Sequence, residues 1–354
     1  MAEQTEGQLV EQVMEAAQAG SPLAITGGNT KSFYGREIIG TPLDLSGHRG
    51  VVEYQPTELV MTVKAGTPIQ EINRELDRHN QMLGFDPPRF SPGATIGGAV
   101  AAGLAGPGRP FYGSVGDFIL GIKLLTGRAE VLRFGGQVIK NVAGFDLSRL
   151  MVGALGCLGV LLEVSIKVIP KPEDEITLVL EHADEDDAVL AMNRLATTPL
   201  PITSASWFDG LTRIRLSGSR SGIRAAKSEI GGQQDLNGPA FWTGLRDQTH
   251  GFFENDQWLH RASVASASRV FCKEWPQLVD WGGAVRWGCF PGDNREFSRA
   301  AKSADGHCCH FRNGDRTGEV FAPLDAAMMR FHQQLKAAFD PARVLNPGRL
   351  YAEI

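Results

Sequence analysis

A chain of 354 residues with 42% hydrophobic and 21% charged side chains can bury a core, which excludes disorder, collagen and coiled coil for the chain as a whole and favours two domains. With 35 basic against 40 acidic residues and no Lys/Arg run, nothing is present to track the phosphates of a nucleic acid. The longest uncharged stretch, residues 90–108, is too rich in Gly, Ala and Pro for a membrane span, and five cysteines without CxxC spacing give no disulfide framework and fit a reducing cytoplasm.

The N-terminus, MAEQTEGQLVEQ, is acidic and polar, unlike a secretory signal. Residues 5–19 set Leu9, Val13 and Ala17 on one helical face, with Thr5 and Gln8 as a capping box and Gly20 as the stop. A strand over 23–25 runs into Gly27-Gly28-Asn29-Thr30-Lys31-Ser32. Another strand covers 59–65, and a helix opens on Thr67 with Pro68 at N1 and Ile69, Ile72 and Leu76 on one face. Residues 120–125 and 130–134 flank a hairpin turn, and 160–169 form a strand that ends at Pro170. Beyond Pro172 the chain turns acidic. It reads strand 176–181, helix 185–195, strands 202–208 and 213–218, and helix 222–230, the start of a split βαβ, ferredoxin-like layer.

Residues 235–320 carry Trp242, Trp258, Trp275, Trp281 and Trp287, which read either as aromatic core or as a partner surface. His307-Cys308-Cys309-His310 reads as a strand, because adjacent ligands do not easily share one tetrahedral ion. A last helix over 325–339 leads into Val344-Leu345-Asn346-Pro347-Gly348-Arg349. No internal repeat stands out.

Glycine is in excess, 42 residues or about 12% against a usual ~7%. Four segments concentrate it. Gly27 to Ser32, directly after a strand, offers successive backbone N–H groups to an anion, and neither Walker A nor GxGxxG spacing is present. Ser91 to Gly103 is a Gly/Ala run with one hydroxyl, at Thr95, and lets the backbone lie against a ligand. Gly113-Ser114-Val115-Gly116-Asp117 leads into a strand. Lys140 to Leu147, followed by Gly153, Gly156 and Gly159, brings bare backbone to the entrance of a strand, the reverse of the Rossmann order.

Taken in order, GGNTKS, SPGATIGGAVAAGL, GSVGDFILGIKLL and GQVIKNVAGFDLSRLMVGALGCLGVLLEVSIKVIPKP closely resemble the FAD-binding domain of the vanillyl-alcohol-oxidase (PCMH) type, and in it the glycolate oxidase FAD-subunit branch. The resemblance implies an α+β fold. It comprises a PCMH-type FAD-binding domain of two α+β subdomains over 1–172, a reduced ferredoxin-like cap over 173–322, and a C-terminal helix and tail over 323–354 packed on the FAD domain. It implies that Gly27, Gly28, Asn29, Thr30 and Lys31 hold the FAD pyrophosphate, and that Gly93, Thr95, Gly97 and Gly98 line the ribityl and flavin side. Ser114, Gly116 and Asp117 flank the dinucleotide, Gly156, Gly159 and Val160 border the adenine end, and Asn346 and Arg349 return near the isoalloxazine. Relatives that bind flavin covalently use a His or Cys in the first two loops. Neither occurs over 27–32 or 91–103, so non-covalent FAD is expected.

The implied function is a glycolate or 2-hydroxy-acid dehydrogenase subunit that works in a complex with a sister FAD subunit and an iron–sulfur subunit. The expected location is cytoplasmic, peripheral to the inner membrane through those partners. A flavin-binding scaffold without turnover and a stand-alone flavin oxidase are the alternatives. One departure stands out. The family's HxGDGNxH-like segment survives only as Gly288-Cys289-Phe290-Pro291-Gly292-Asp293-Asn294-Arg295, without either histidine, so no catalytic residue is assigned. His307, His310 and His332 are read as structural or exposed.

Overall fold

The computed structural model describes residues 5–136 and 146–354. Residues 140–145 of the KNVAGFDL motif lie outside them. The described chain is an α+β structure whose sheets divide at the Pro170–Pro172 region.

Helix α1 (Glu6–Ala19) starts at the anticipated Thr5/Gln8 capping box and stops at Gly20 in the left-handed conformation. It buries Leu9, Val13 and Ala16, whereas Ala17 is only partly covered. The short parallel pair β1 (Leu23–Thr26) and β2 (Thr41–Asp44) follows. Strands β3 (Val51–Gln55) and β4 (Val60–Lys64) then precede α2 (Ile69–Asp77). The start of α2 differs by one residue from the sequence expectation. Thr67 does not cap it, because its hydroxyl accepts from Gly50 N (2.9 Å) and donates to Lys64 O (2.6 Å), and Pro68 becomes the cap residue. After β5 (Gln81–Met82) come α3 (Ile96–Ala102), α4 (Arg109–Tyr112) and α5 (Val115–Phe118). The hairpin is β6 (Ile119–Leu125) and β7 (Val131–Gly135). Helix α6 (Leu147–Leu150), β8 (Val160–Lys167) and β9 (Ile169–Pro170) complete this half. Its five-stranded sheet runs β3-β4-β8-β6-β7, and the central strand β8 is buried almost throughout.

The second half is one antiparallel sheet of eight strands. Strands β10 (Asp174–Glu181), β11 (Ile202–Phe208), β12 (Leu211–Gly218) and β13 (Gln233–Gln234), with α7 (Glu185–Ala196) and α8 (Arg220–Ile230), form the split βαβ layer in the order β13-β10-β12-β11. Helix α9 (Gly238–Asp247) leads to β14 (Trp258–Ser263), β15 (Gln277–Asp280), β16 (Val285–Phe290), α10 (Arg295–Ser303) and β17 (His307–Arg312). These strands continue the sheet as β15-β16-β14-β17. Numbered within its own unit, each half-sheet has the order fourth-first-third-second, and the two second strands, β11 and β15, join them. The ferredoxin-like layer is thus present twice, and loop 264–276 replaces the first helix of the second copy. HCCH is strand β17. Trp242 and Trp287 are core residues.

Helix α11 (Ala326–Phe339), capped by Asp325, brings the chain back to the first half. Its anchor is ionic. Lys336, fully buried, reaches Asp340 (2.8 Å), Cys157 O (2.8 Å) and Leu345 O (2.7 Å). Asp340, equally buried, accepts from Val344 N and Leu345 N. Val344 and Leu345 join the core of the first half. Among the described residues no helix is long and apolar enough to cross a membrane.

Candidate functional site

Four chain segments that are distant in sequence form three walls of a cavity of about 350 Å3. Strand β1 delivers the turn Gly27 to Ser32 along one wall. The start of α3, with Thr95, Gly97 and Gly98, forms the second. The turn at Leu155 and Gly156 closes the third, together with Asn346 and Arg349 of the C-terminal tail. Helix α3 begins where it does because the Thr95 hydroxyl accepts from Gly98 N (3.2 Å).

The tail is sewn in by its polar groups. Asn346 accepts from Ile25 N (2.7 Å) and donates to Leu155 O (2.6 Å), so one side chain ties β1 to the Gly156 turn. The Arg349 guanidinium donates to the carbonyls of Lys31 (3.2 Å), Ser32 (3.0 Å) and Arg36 (3.0 Å), and fixes the loop after the glycine turn. Arg316 holds the same loop through Gly35 O (2.8 Å). Burial, and then the neighbouring Arg316, pull Arg349 down to about 10. Burial draws the Lys31 ammonium down to about 8, against the pull of Asp247. Lys31, Arg316 and Arg349 outnumber the one acidic lining residue, Glu37, so the walls favour an anion.

Twelve of the residues singled out from sequence line this cavity: Gly27, Gly28, Asn29, Thr30, Lys31, Thr95, Gly97, Gly98, Gly156, Gly159, Asn346 and Arg349. Five do not. Gly93 lies behind the first wall, against Gly28. Ser114 donates from its N and Oγ to Asp117 Oδ2 (2.7 and 2.8 Å) and caps α5, which holds the Asp117 carboxyl below its usual range. Gly116 sits inside that capped turn. Val160 is fully buried in β8, opposite Leu125. Arg316, Glu37 and Ile38 line the cavity without having been singled out. Arg316 sits in a loop with no periodic pattern, so nothing in the sequence marks it.

One histidine from a neighbouring strand lies beside the Gly-Asp-Asn segment. His260 of β14 places Nε2 3.8 Å from Asp293, and its ring stacks on His310 of β17 at 5.5 Å. His310 is bonded to the carbonyls of Asp315 and Arg312, and His332 faces Met328 O on α11. None of these groups lines the glycine-walled cavity.

A cavity of this size, with glycine on all three walls and cations at its rim, has the volume and charge of a cofactor site. It defines a flavoprotein: the family model described as FAD binding domain matches residues 2–135, and FAD is the cofactor. The fold agrees. An alkyldihydroxyacetonephosphate synthase structure superposes with a TM-score of 0.70 at 14% identity, over 97% of this chain and 75% of that one.

Over 349 residues, 98% of this chain and 97% of the relative, the sequence is 46% identical to the glycolate oxidase subunit GlcE of Escherichia coli (strain K12). The chain belongs to the family of that FAD-dependent oxidoreductase subunit. It is also 30% identical over 154 residues to the glycolate oxidase subunit GlcD of Bacillus subtilis (strain 168), covering 43% of this chain and 33% of the relative.

Among the described residues the cavity lining contains no His, Cys or Tyr that could form a flavin bond. Acid precipitation of the yellow protein is therefore expected to leave all of the flavin in the supernatant. Flavin retained on the washed pellet would overturn this.

Proposed function

We propose that this chain is the FAD-binding subunit of a complex that oxidises glycolate, or a closely similar 2-hydroxy acid, to glyoxylate and passes the two electrons to an iron–sulfur subunit. The observation that carries this reading is the 46% identity to GlcE along nearly the full length of both chains. The GlcD likeness supports a sister flavin subunit in the same assembly.

When bound, FAD supplies two-electron acceptance at its ring system. The chain's own residues do the holding. The main chain of 27–31 and the first turn of α3 face the cavity, and Lys31, Arg316 and Arg349 set positive charge at its rim. Beyond Lys31, the gap toward the eight-stranded sheet is filled by rings. Phe33 meets Phe90 at 5.1 Å, Phe311 meets Phe33 at 5.7 Å, and Trp287 meets Phe311 at 4.9 Å. This packing supports an assignment of substrate oxidation to the sister subunit rather than to this chain alone.

The test is anaerobic addition of glycolate, first to the purified chain and then to the chain purified with its flavin and iron–sulfur partners. Bleaching of the flavin in the complex and a stable spectrum in the isolated chain are expected. Rapid bleaching of the isolated chain would replace the proposal with a stand-alone oxidase.

A further inference from the structure

Strand β17 leads into a loop, residues 312–318, that runs from the eight-stranded sheet to the rim of the flavin cavity. His310 sits at the root of that loop. Its ring is 7% exposed and stacks on the Trp258 indole, with ring centres 4.7 Å apart. Nδ1 meets Asp315 O at 3.1 Å, and Nε2 meets Arg312 O at 3.2 Å and also Asn313 O. Main-chain carbonyls only accept, so both ring nitrogens must donate, and a neutral imidazole has a single N–H. The loop as folded therefore calls for the imidazolium.

We propose that His310 is a positioning residue for the flavin cavity: its imidazolium holds the loop that carries Arg316, and loss of the ring proton loosens FAD. This role rests on the reading of that cavity as the FAD site.

The path from His310 to the cavity is short. The residue after Asp315 is Arg316, which lines the cavity and donates to Gly35 O (2.8 Å) and Arg36 O (3.3 Å). The lacing is returned from the other side. Glu37 N donates to Arg316 O (3.1 Å), and the Arg36 guanidinium donates to Gly318 O. Loop 312–318 and the loop after the glycine turn are thus tied into one piece. The first of these loops has little room to slide. Gly314 is pressed on the indole that carries His310, and a Cβ there would overlap the Trp258 ring. Asn313 donates to Gln257 O (2.9 Å).

The ionisable groups of the elements around His310 are His260 and Arg261 on β14, Arg312 on β17, Asp293 before α10, and Asp315, Arg316 and Glu319 in the segment after β17. His260 stacks on His310 at 5.5 Å, and burial, then the His310 charge, hold it below its ordinary value. Of this pair, His310 is the one that carries the extra proton. Asp293 faces His260 Nε2 at 3.8 Å. The Thr317 hydroxyl and amide hold the Asp315 carboxyl below its usual range, and the His310 charge adds to this. Arg261 lies over Trp281 and Trp287, and Arg312 turns to Phe253 O and the Phe33 ring. An imidazolium stacked on indole gains further from the ring face.

The folded loop binds the protonated ring. The latch is therefore complete at low pH and is lost as pH rises through the range in which histidine gives up its proton. A bare ring nitrogen then faces a carbonyl oxygen in a buried place, acceptor against acceptor. The Lys31 ammonium also loses charge with rising pH, but near 8, so the two effects separate.

The test is FAD titration of the full chain, stripped of its flavin, in steps from about pH 5.5 to about pH 7.5, read by flavin fluorescence. Wild-type affinity is expected to fall about fivefold to tenfold across these steps. His310→Phe keeps an aromatic ring on Trp258 without either donor. It is expected to bind FAD weakly throughout, with a flat pH profile. Arg316→Gln cuts the path and is also expected to be weak and flat. Hydrogen exchange of residues 312–318 in the flavin-free wild type, corrected for the intrinsic rate, is expected to quicken as pH rises. That measurement reports on His310 without FAD and without any variant. A flat wild-type profile, loop exchange that ignores pH, or a His310→Phe chain that keeps the wild-type pH dependence would overturn the role of His310. A pH-sensitive loop with normal FAD binding by Arg316→Gln would overturn its coupling to the cofactor. Normal FAD binding by Gly98→Leu as well would place that failure in the reading of the cavity rather than in His310.

Discussion

Gly28→Ala is expected to lower FAD affinity about a hundredfold and to destabilise the chain by roughly 2–3 kcal/mol, whereas Gly98→Leu removes FAD and leaves the fold intact. The two glycines line the same cavity for different reasons. A Cβ on Gly28 would stand 1.5 Å from the carbonyl oxygen of Gly93. Backbone meets backbone there, and no flexible side chain can yield, so the first wall must separate from the segment behind it. A Cβ on Gly98 meets only the Thr95 hydroxyl, at 3.2 Å. Gly98 lies within α3, where replacing glycine improves helix propensity by up to about 1 kcal/mol, while a longer side chain takes up cavity space. Titration of each apo-protein with FAD, beside its thermal denaturation curve, separates the two effects. Normal FAD binding by Gly28→Ala would mean that the two loops are free to part. Normal FAD binding by Gly98→Leu would move the cofactor out of this cavity.

That contrast shows where the sequence is informative and where it is not. Local signals read correctly: the Thr5/Gln8 box, the Gly20 stop and the 202–208 strand all rest on neighbours within a few residues. Glycine-rich turns are equally visible, but the reason for each glycine is not. Gly28 is a glycine because its segment touches the backbone at Gly93, whereas a Cβ on Gly93 itself would find room, and that contact belongs to the folded state. Ser114 and Asp117 look like ligand-binding polar residues, and each satisfies the other in a capping box. Arg316 reaches Gly35 across 281 positions, a separation over which no pattern reports. The second ferredoxin-like layer is hidden for a similar reason. Its first helix is replaced by an irregular loop and its strands are four to six residues long, so the repeat survives in strand order and not in periodicity. His260 reaches Asp293 of the Gly-Asp-Asn segment only through the placing of its strand, with His310 beside it in the sheet register.

The ionic anchor of α11 leads to the other large effect. Lys336→Met is expected to cost about 3–5 kcal/mol and to lower the melting temperature on the order of 10 °C. The lysine neutralises Asp340 where neither side chain touches solvent, and it is the donor for two main-chain carbonyls, Cys157 O and Leu345 O. Methionine fills most of the space but leaves Asp340 as a lone buried charge and both carbonyls without this donor. The damage should extend to the cofactor, because Asp340 orients Val344 and Leu345, and the next residue, Asn346, ties β1 to the Gly156 turn. FAD affinity is therefore expected to fall together with stability. The double variant Lys336→Met with Asp340→Asn removes the lone charge and should be less destabilised than the sum of the two single variants. Simple additivity in that cycle, or a Lys336→Met chain that melts with the wild type, would show that the tail is held by its apolar contacts instead.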